Sequence, residues 1–355
     1  MFRLEMLPAG HGDCLWIEYG DPRQPRRVLI DGGTAGTYRR ALRDRLRALP
    51  EHQRRFELLV ITHIDGDHIA GILELLQDRE TGFAAQDIWF NGYRHLPDEA
   101  PETLGPVQGE RLTDLLLRPG VRWNAGFNRR PVAVPAEGEL PRVVLEGGLA
   151  LTLMSPTLQK LAELRPVWER EVRKAGLDPT QPRPGEREAE AGVELLGAPD
   201  VEALAAEPTA EDDAEANGSS IAMLAEFDGR RVLLTGDAHP GVLMTAIRRM
   251  AGRGRLDVDA CKLPHHGSKA NVSGQLVRAL DCRRWLFSSN GAYFRHPDRQ
   301  AVARVIKWGG PQSELAFNYR TRFNDVWAAR PLQQRYGYAA TYPAADGDGG
   351  AVEWK

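Results

Sequence analysis

The chain has 355 residues, 42% of them hydrophobic and 27% charged, with a net charge of −3. That is the composition of a globular protein with a sizeable core, and nothing global announces a polyanionic partner. The three cysteines, Cys14, Cys261 and Cys282, form no CxxC pair, which argues against a disulfide framework and fits the cytoplasm. The longest apolar runs fall short of the ~20 residues of a membrane span, and the N-terminal stretch lacks the basic and apolar regions of a signal peptide.

Residues 2–7 and 14–19 read as strands joined by Ala9-Gly10-His11-Gly12-Asp13. A third strand, 27–30, ends in Asp31-Gly32-Gly33, and a basic amphipathic helix over 38–49 follows. The strand predicted over 57–62 runs into the densest stretch of the chain, Thr62-His63-Ile64-Asp65-Gly66-Asp67-His68. It holds four potential metal ligands within six positions. Ile69, Ile72, Leu73, Leu75 and Leu76 then continue at helical spacing, so the motif sits where a buried strand ends and a helix begins. Imidazole and carboxylate together suit Zn²⁺, Mn²⁺ or Fe²⁺. The plain alternative is a polar loop with Asp67 capping the helix. The density of the cluster, and the return of His and Asp at later strand ends, favour the metal.

Further on, 88–91 reads as a short strand, 98–117 as a loop and helix, 143–154 as a hairpin around Gly147-Gly148, and 158–174 as a helix. Residues 176–216 change texture. From Glu186 to Ala216 there are eleven acidic residues and one basic residue, a composition poor at building a core. This segment is expected to be an exposed, flexible insertion with one short helix at Val201–Ala206. It is either an idle loop or a lid that restrains the site until cleaved or displaced. Strands follow at 221–227 and 231–234, joined by Asp228-Gly229 and ending in Thr235-Gly236-Asp237. After a helix over 241–250, a strand over 259–264 ends in His265-His266-Gly267-Ser268. A helix (274–280), a strand (285–289), the turn at Asn290-Gly291, Arg295-His296-Pro297-Asp298, a helix (299–306) and a strand-like tail complete the chain. The arginines at 39–47 and 248–255 read as solvated helix faces or as phosphate contacts, and His95 and His239 as surface residues.

Three strands thus end in a ligand type, at His63, Asp237 and His265. Inner strands of one sheet end on a common edge, so their loops meet. Asp237 is the natural bridge between two cations. Two divalent ions ~3.5–4 Å apart hold a hydroxide and clamp a phosphoryl oxygen.

These pieces together resemble the metallo-β-lactamase fold superfamily, and within it the hydrolase domain of the ComEC/Rec2 competence proteins. The matching stretches are Gly10–Cys14, Asp31–Gly33, His63–His68, Leu234–Asp237, Leu263–Ser268, and Ser289-Asn290 with His296-Pro297, in the family's order. The resemblance implies a single domain over 1–355, an αβ/βα sandwich with two mixed sheets flanked by helices. It also implies a two-metal centre (Zn²⁺ or Mn²⁺), and phosphodiester hydrolysis of DNA or RNA by a metal-bound hydroxide. The competence proteins' membrane channel has no counterpart here, so a stand-alone enzyme is expected, with a regulatory or defence-system protein as a further partner. The chain departs from the superfamily's His-x-His-x-Asp-His at Asp65, and Asn217 stands where a further histidine is expected. One metal site is therefore oxygen-rich, built from His63, Asp65, Asp237 and Asn217. The other uses Asp67, His68, Asp237 and His265. Asp67, His266 and His296 are expected to take part in the chemistry, His266 touching substrate and His296 contacting phosphate or protonating a leaving oxygen. Asp31 is expected to buttress a ligand, Ser268 with Lys269 to bind phosphate at a helix start, and His11 and Asp13 to line the site. Lys262 is expected to be structural. The competing functions are a small-molecule hydrolase (cyclic nucleotide, lactone or thioester) and a degenerate, non-catalytic regulatory module.

Overall fold

The computed structural model describes residues 1–97, 107–175, 199–344 and 348–354. In chain order the strands are β1 (Phe2–Met6), β2 (Leu15–Tyr19), β3 (Arg26–Ile30), β4 (Arg55–Phe56), β5 (Leu58–Val60), β6 (Ala84–Ala85), β7 (Ile88–Trp89), β8 (Arg142–Val144) and β9 (Ala150–Ser155). They continue with β10 (Ala222–Phe227), β11 (Arg230–Leu234), β12 (Leu256–Lys262), β13 (Leu280–Phe287), β14 (Glu314–Phe317), β15 (Ala339–Thr341) and β16 (Gly350–Trp354). The helices are α1 (Ala35–Thr37), α2 (Arg43–Arg47), α3 (Gly66–Gln77), α4 (Val107–Leu116), α5 (Leu158–Ala175), α6 (Val201–Ala206), α7 (Glu215–Gly218), α8 (Pro240–Ala251), α9 (Gly274–Arg278), α10 (Arg299–Trp308) and α11 (Arg330–Tyr336).

Two mixed sheets face each other. One runs β16-β1-β2-β3-β5-β7 and the other β15-β14-β13-β12-β11-β10-β9-β8, with β4-β6 a separate ribbon. Side chains of a strand alternate between faces, and that alternation sorts the core into layers. On β3, Val28 and Ile30 meet the opposite sheet while Leu29 turns to the helices. On β13, Leu286 points between the sheets and Trp285 and Phe287 point outward, under α9 and α10. Both faces of the inner strands are buried, which is why they read as continuous apolar runs. The result is helices, sheet, sheet, helices: the expected αβ/βα sandwich. Helices α3, α4 and α5 cover the first sheet, and α6, α8, α9 and α10 the second.

The parallel pairs β3-β5 and β11-β12-β13 carry the candidate ligands at their C-terminal ends. Open α/β sheets place ligands at that edge. The approach of the loops is close enough to demand glycine. A Cβ on Gly12 would lie 1.8 Å from the Asp67 carbonyl oxygen, and one on Gly71 would lie 1.9 Å from that of Gly32.

Part of the acidic segment behaves differently from the exposed insertion expected. Residues 176–198 lie outside the described residues. Residues 199–216 fold back on the second sheet: α6 forms at the predicted position, with Asp200 accepting hydrogen bonds at its N-terminus, and packs on α10, burying Val201 and Ala205. The Arg304 guanidinium donates to the backbone oxygens of Glu207, Lys269 and Val272 and to Thr209 Oγ1, locking the segment in place. A few apolar residues and one arginine thus order a stretch whose overall composition looked coreless. No helix among the described residues is long and apolar enough to cross a membrane.

Candidate metal centre

Asp31, at the end of β3, sits at φ 58°, a strained backbone position for a non-glycine residue. Its buried carboxylate accepts from Thr62 N (2.8 Å), Thr62 Oγ1 (2.7 Å) and His68 Nδ1 (2.8 Å). With Asp31 accepting, His68 carries a proton on Nδ1 and turns Nε2 to the centre, where a cation would take the place of any proton on that nitrogen. Asp31 is thus the buttress expected. His68 Nε2 lies 3.3 Å from Asp237 Oδ2 and 3.3 Å from His266 Nε2. His63 Nε2 approaches Asp65 Oδ2 (3.6 Å) and Asp237 Oδ2 (3.9 Å). Asp65 occupies the N-cap position of α3, where the alternative reading had placed Asp67, and its side chain is 42% exposed.

Asp237 is where the ligands converge. Besides His63 and His68, its Oδ2 lies 3.5 Å from His266 Nε2 and 3.9 Å from His265 Nε2. His266 Nε2 is also 3.5 Å from Asp67 Oδ2. The compact triads among the described residues are His63-His68-Asp237, Asp67-His68-His266 and Asp13-Asp237-His266. His63 Nε2 and Asp237 Oδ1 are buried without hydrogen-bond partners. A buried ring nitrogen and a buried carboxylate oxygen left without partners, on two residues of one compact triad, fit a divalent cation.

The geometry brings both members of the histidine pair to Asp237, including His266, which was expected to touch substrate. Both residues adopt left-handed backbone, His265 at φ 47° and His266 at φ 54°. That breaks the strand alternation and turns the second ring inward. His266 is 1% exposed, its Nδ1 held by the Ser288 carbonyl at 3.0 Å. His265 faces Asp237 from the opposite flank, with Nδ1 near Asn271 Oδ1 (3.0 Å), Asn217 Nδ2 (3.4 Å) and Asp212 Oδ2 (3.4 Å). Asn217 is buried near it, its Nδ2 donating to Asp212 (2.8 Å) and its Oδ1 unpartnered.

Electrostatics follow from this crowding. Burial alone would lower the pKa values of His68 and His266, but Asp237 beside both, with Asp31 and Asp67 at His68 and Asp13 at His266, drives them well above the usual range. Burial likewise raises Asp237, yet His266, His68 and His265 hold it well below the usual carboxylate range. Asp13 lines the site as expected, 3.4 Å from His266 Nδ1. Its other oxygen takes the ammonium of the fully buried Lys262. Lys262 is thus the fixed counter-charge of an acidic site.

Three expectations need correction. His296 is buried, and burial together with His265 and His266 lowers its pKa to about 3. It is a neutral ring at pH 7, not a charged proton donor. Ser268 does not start a helix; its Oγ accepts from Ala270 N in a turn, and the next helix is capped by Ser273. His95 and His239 are buried rather than on the surface: His95 packs edge-on to Trp123, and His239 Nε2 bonds the Ala214 carbonyl. In the arginine clusters Arg39, Arg40 and Arg47 remain exposed, as solvated helix faces would be, and several members pair with the protein's own groups. Arg39, Arg45 and Arg47 pair with Glu74, Glu5 and Glu80. Arg249 donates to the carbonyls of Pro135 and Gly138 at the far end of α8, a helix length from Asp237. Sequence reasoning missed Thr62, Asp212 and Asn271. Asp212 was hidden in an acidic run, and neither Thr62 nor Asn271 carries a ligand signature.

A cleft of about 660 Å³ lies beyond Asp212, lined among others by Glu163, Glu211, Asp213, Glu215 and His239. Its acidic wall repels phosphate, so it is a poor approach for a polyanion.

Residues 8–147 match the metallo-β-lactamase superfamily, a stretch that holds Asp31, His63, Asp65, Asp67 and His68, while Asp237, His265 and His266 lie beyond it. The chain is 31% identical over 119 residues to the hydroxyacylglutathione hydrolase of Salmonella paratyphi A, a match covering 33% of this chain and 43% of that protein. It therefore spans less than half the length of these curated relatives. Among solved structures it is similar to Igni18, a metallo hydrolase from Ignicoccus hospitalis, at 12% identity, covering 99% of this chain and 100% of that one with a TM-score of 0.43. It is also similar to Zn²⁺-bound PqqB from Methylobacterium extorquens, at 11% identity, 99% and 100% coverage and a TM-score of 0.42.

Proposed function

We propose that the protein is a metal-dependent hydrolase of phosphodiester bonds, of ComEC/Rec2-like type, acting on DNA or RNA. The observation that carries the reading is the convergence of His63, His68, His265 and His266 on one buried carboxylate, Asp237, with Asp67 set against His266. Asp67, His68, His266 and Asp237 would hold one divalent cation. His63, Asp65 and Asp237 would hold the second, closed by His265 or Asn217. Oxygen-rich sites favour Mn²⁺, and imidazole-rich sites Zn²⁺. When bound, such cations acidify water and neutralise phosphoryl oxygens. The chain's own residues do the rest. Asp31 fixes the His68 tautomer, Asp13 and Lys262 set the charge behind His266, and Asp212 with Asn271 aligns His265. The neutral His296 ring offers a hydrogen bond to a phosphate oxygen.

The test is cleavage of plasmid, single-stranded DNA and RNA with Mn²⁺ or Zn²⁺, with and without chelator. Absence of chelator-sensitive cleavage of every polymer sinks the reading. A second reading, turnover of a hydroxyacylglutathione, is favoured by the curated relatives and is assayed alongside.

A further inference from the structure

One loop beside the centre has no part in holding cations. Residues 290–296 raise a line of rings from the histidines to solvent. His296 lies against His265 with ring centroids 5.5 Å apart, and Phe294 stacks on His296 at 5.7 Å and 27°. Tyr293 meets Phe294 edge-on at 4.4 Å, and His11 stacks on Tyr293 at 5.2 Å. His265 is the ring whose Nε2 faces Asp237.

Phe294 is 49% exposed and is the only aromatic among the large hydrophobic residues exposed in the described part of the chain. It is not exposed because the loop is loose. Asn290 N donates to Gly10 O (2.8 Å), Ala292 N to Asn290 Oδ1 (2.9 Å) and Arg295 N to Gly291 O (3.2 Å), while Asp298 N donates to Gly267 O (3.0 Å). Arg295 takes a left-handed backbone (φ 61°) at the step after Phe294. From below, Phe323 packs so closely on Gly291 that a Cβ there would lie 2.3 Å from its ring. The Arg322 guanidinium covers Phe323 at 4.9 Å. A braced loop, a strained residue and a cation hold one apolar ring in water beside a metal-type centre. With one face against His296, the half-exposed ring still leaves apolar surface to a flat partner, and an unpaired nucleobase has a free π-face to give. A base inside a duplex is already stacked on both faces.

We propose that Phe294 is the stacking platform for an unpaired nucleobase adjoining the phosphodiester that reaches Asp237. The substrate is then a single strand or an unpaired end. This rests on the phosphodiester reading and deepens it by naming what lies beside the scissile bond.

The experiment uses the full chain, its Phe294→Ala and Phe294→Trp variants, and a short single-stranded oligonucleotide carrying 2-aminopurine, titrated in chelator so that binding is read without turnover. The same oligonucleotide in duplex, and one with an abasic site at the probe's neighbour, serve as comparisons. Stacking predicts saturable quenching by the single strand and weaker binding of the duplex. Phe294→Ala should lower affinity about tenfold, the scale of one base–aromatic stack, and Phe294→Trp should retain it. Equal affinity of Phe294→Ala and the unaltered protein, or equal quenching of single strand and duplex, overturns the proposal. A parallel Mn²⁺ cleavage assay separates the two readings. Cleavage with no effect of Phe294→Ala on KM removes the platform and leaves the phosphodiesterase. Quenching that depends on Phe294, with no cleavage under any metal, supports the platform and removes the phosphodiesterase.

Discussion

Replacing Asp31 by asparagine tests how the centre is organised, because the change is nearly isosteric. The carboxylate takes three hydrogen bonds, from Thr62 N at 2.8 Å, Thr62 Oγ1 at 2.7 Å and His68 Nδ1 at 2.8 Å, on its two oxygens. An amide keeps one acceptor oxygen. If that oxygen serves Thr62 Oγ1 and His68, the NH₂ meets the Thr62 N–H, donor against donor. If it serves Thr62 N, the NH₂ meets His68 Nδ1 and drives the ring proton to Nε2, where the lone pair is needed. Either way one buried bond to a charged acceptor is lost, at a cost of roughly 1.5–3 kcal/mol. The second orientation also removes His68 as a ligand. Asp31→Asn should therefore melt several degrees lower and bind Zn²⁺ some 10–100-fold more weakly, the usual cost of losing a carboxylate behind a ligating histidine. Competition with a chromophoric chelator measures the affinity and calorimetry the melting. Zn²⁺ affinity within twofold of the unaltered protein would show that His68 does not depend on this contact, and the account of the centre would fall.

The histidine pair separates in metal content. His266→Ala should lose one bound divalent ion per chain by elemental analysis, with a larger drop in kcat/KM than the roughly 10–100-fold typical of an outer partner, and His265→Ala should lose less; the reverse order would restore the assignment expected from the strand end. The buried His95 gives a pH signature away from the centre. Burial, helped by Arg94, lowers its pKa from 6.5 to about 4, so below pH 6.5 the unfolded chain binds a proton that the folded one refuses. The stability is fully present above pH 6.5 and drains as pH falls towards 4, by about 2 kcal/mol at pH 5 and roughly 3 kcal/mol in total. Urea unfolding at pH 7.5 and 5 should show His95→Gln losing that part of the slope; an unchanged difference between the two pH values would refute it.

The features legible in the sequence were those encoded by neighbours along the chain. Strand tips followed by Asp31-Gly32-Gly33, His63–His68 and Thr235-Gly236-Asp237 announce themselves because a buried run, a turn and a ligand type lie side by side. The α6 helix was legible from its cap and its short apolar repeat. Contacts between distant segments were not. Nothing near Asp212 in the chain says that Asn217 and Asn271 donate to it or that His265 faces it. Asp13 and Lys262 are 249 positions apart and each looks ordinary alone. His265 was preferred as the ligand because it follows the strand end directly; left-handed backbone at both positions turns the ring of His266 to Asp237 as well, which strand position alone does not announce. His95 and His239 were placed on the surface because an isolated histidine gives no periodic sign of burial.

The loop-to-loop meeting at Asp237 has a mechanical consequence. His68 stands on α3, which covers the first sheet, and His266 in the turn after β12 of the second, and they touch across 198 positions of chain. A cation gripped by both would act as a clasp between the two halves of the sandwich. The work of holding the cation and the work of keeping the sheets together are then the same work. At a hundredfold excess of free cation over its Kd, the clasp adds about 2.7 kcal/mol against unfolding. Scarcity of metal would therefore loosen the protein as well as silence it, which ties the lifetime of the chain to the supply of its cation.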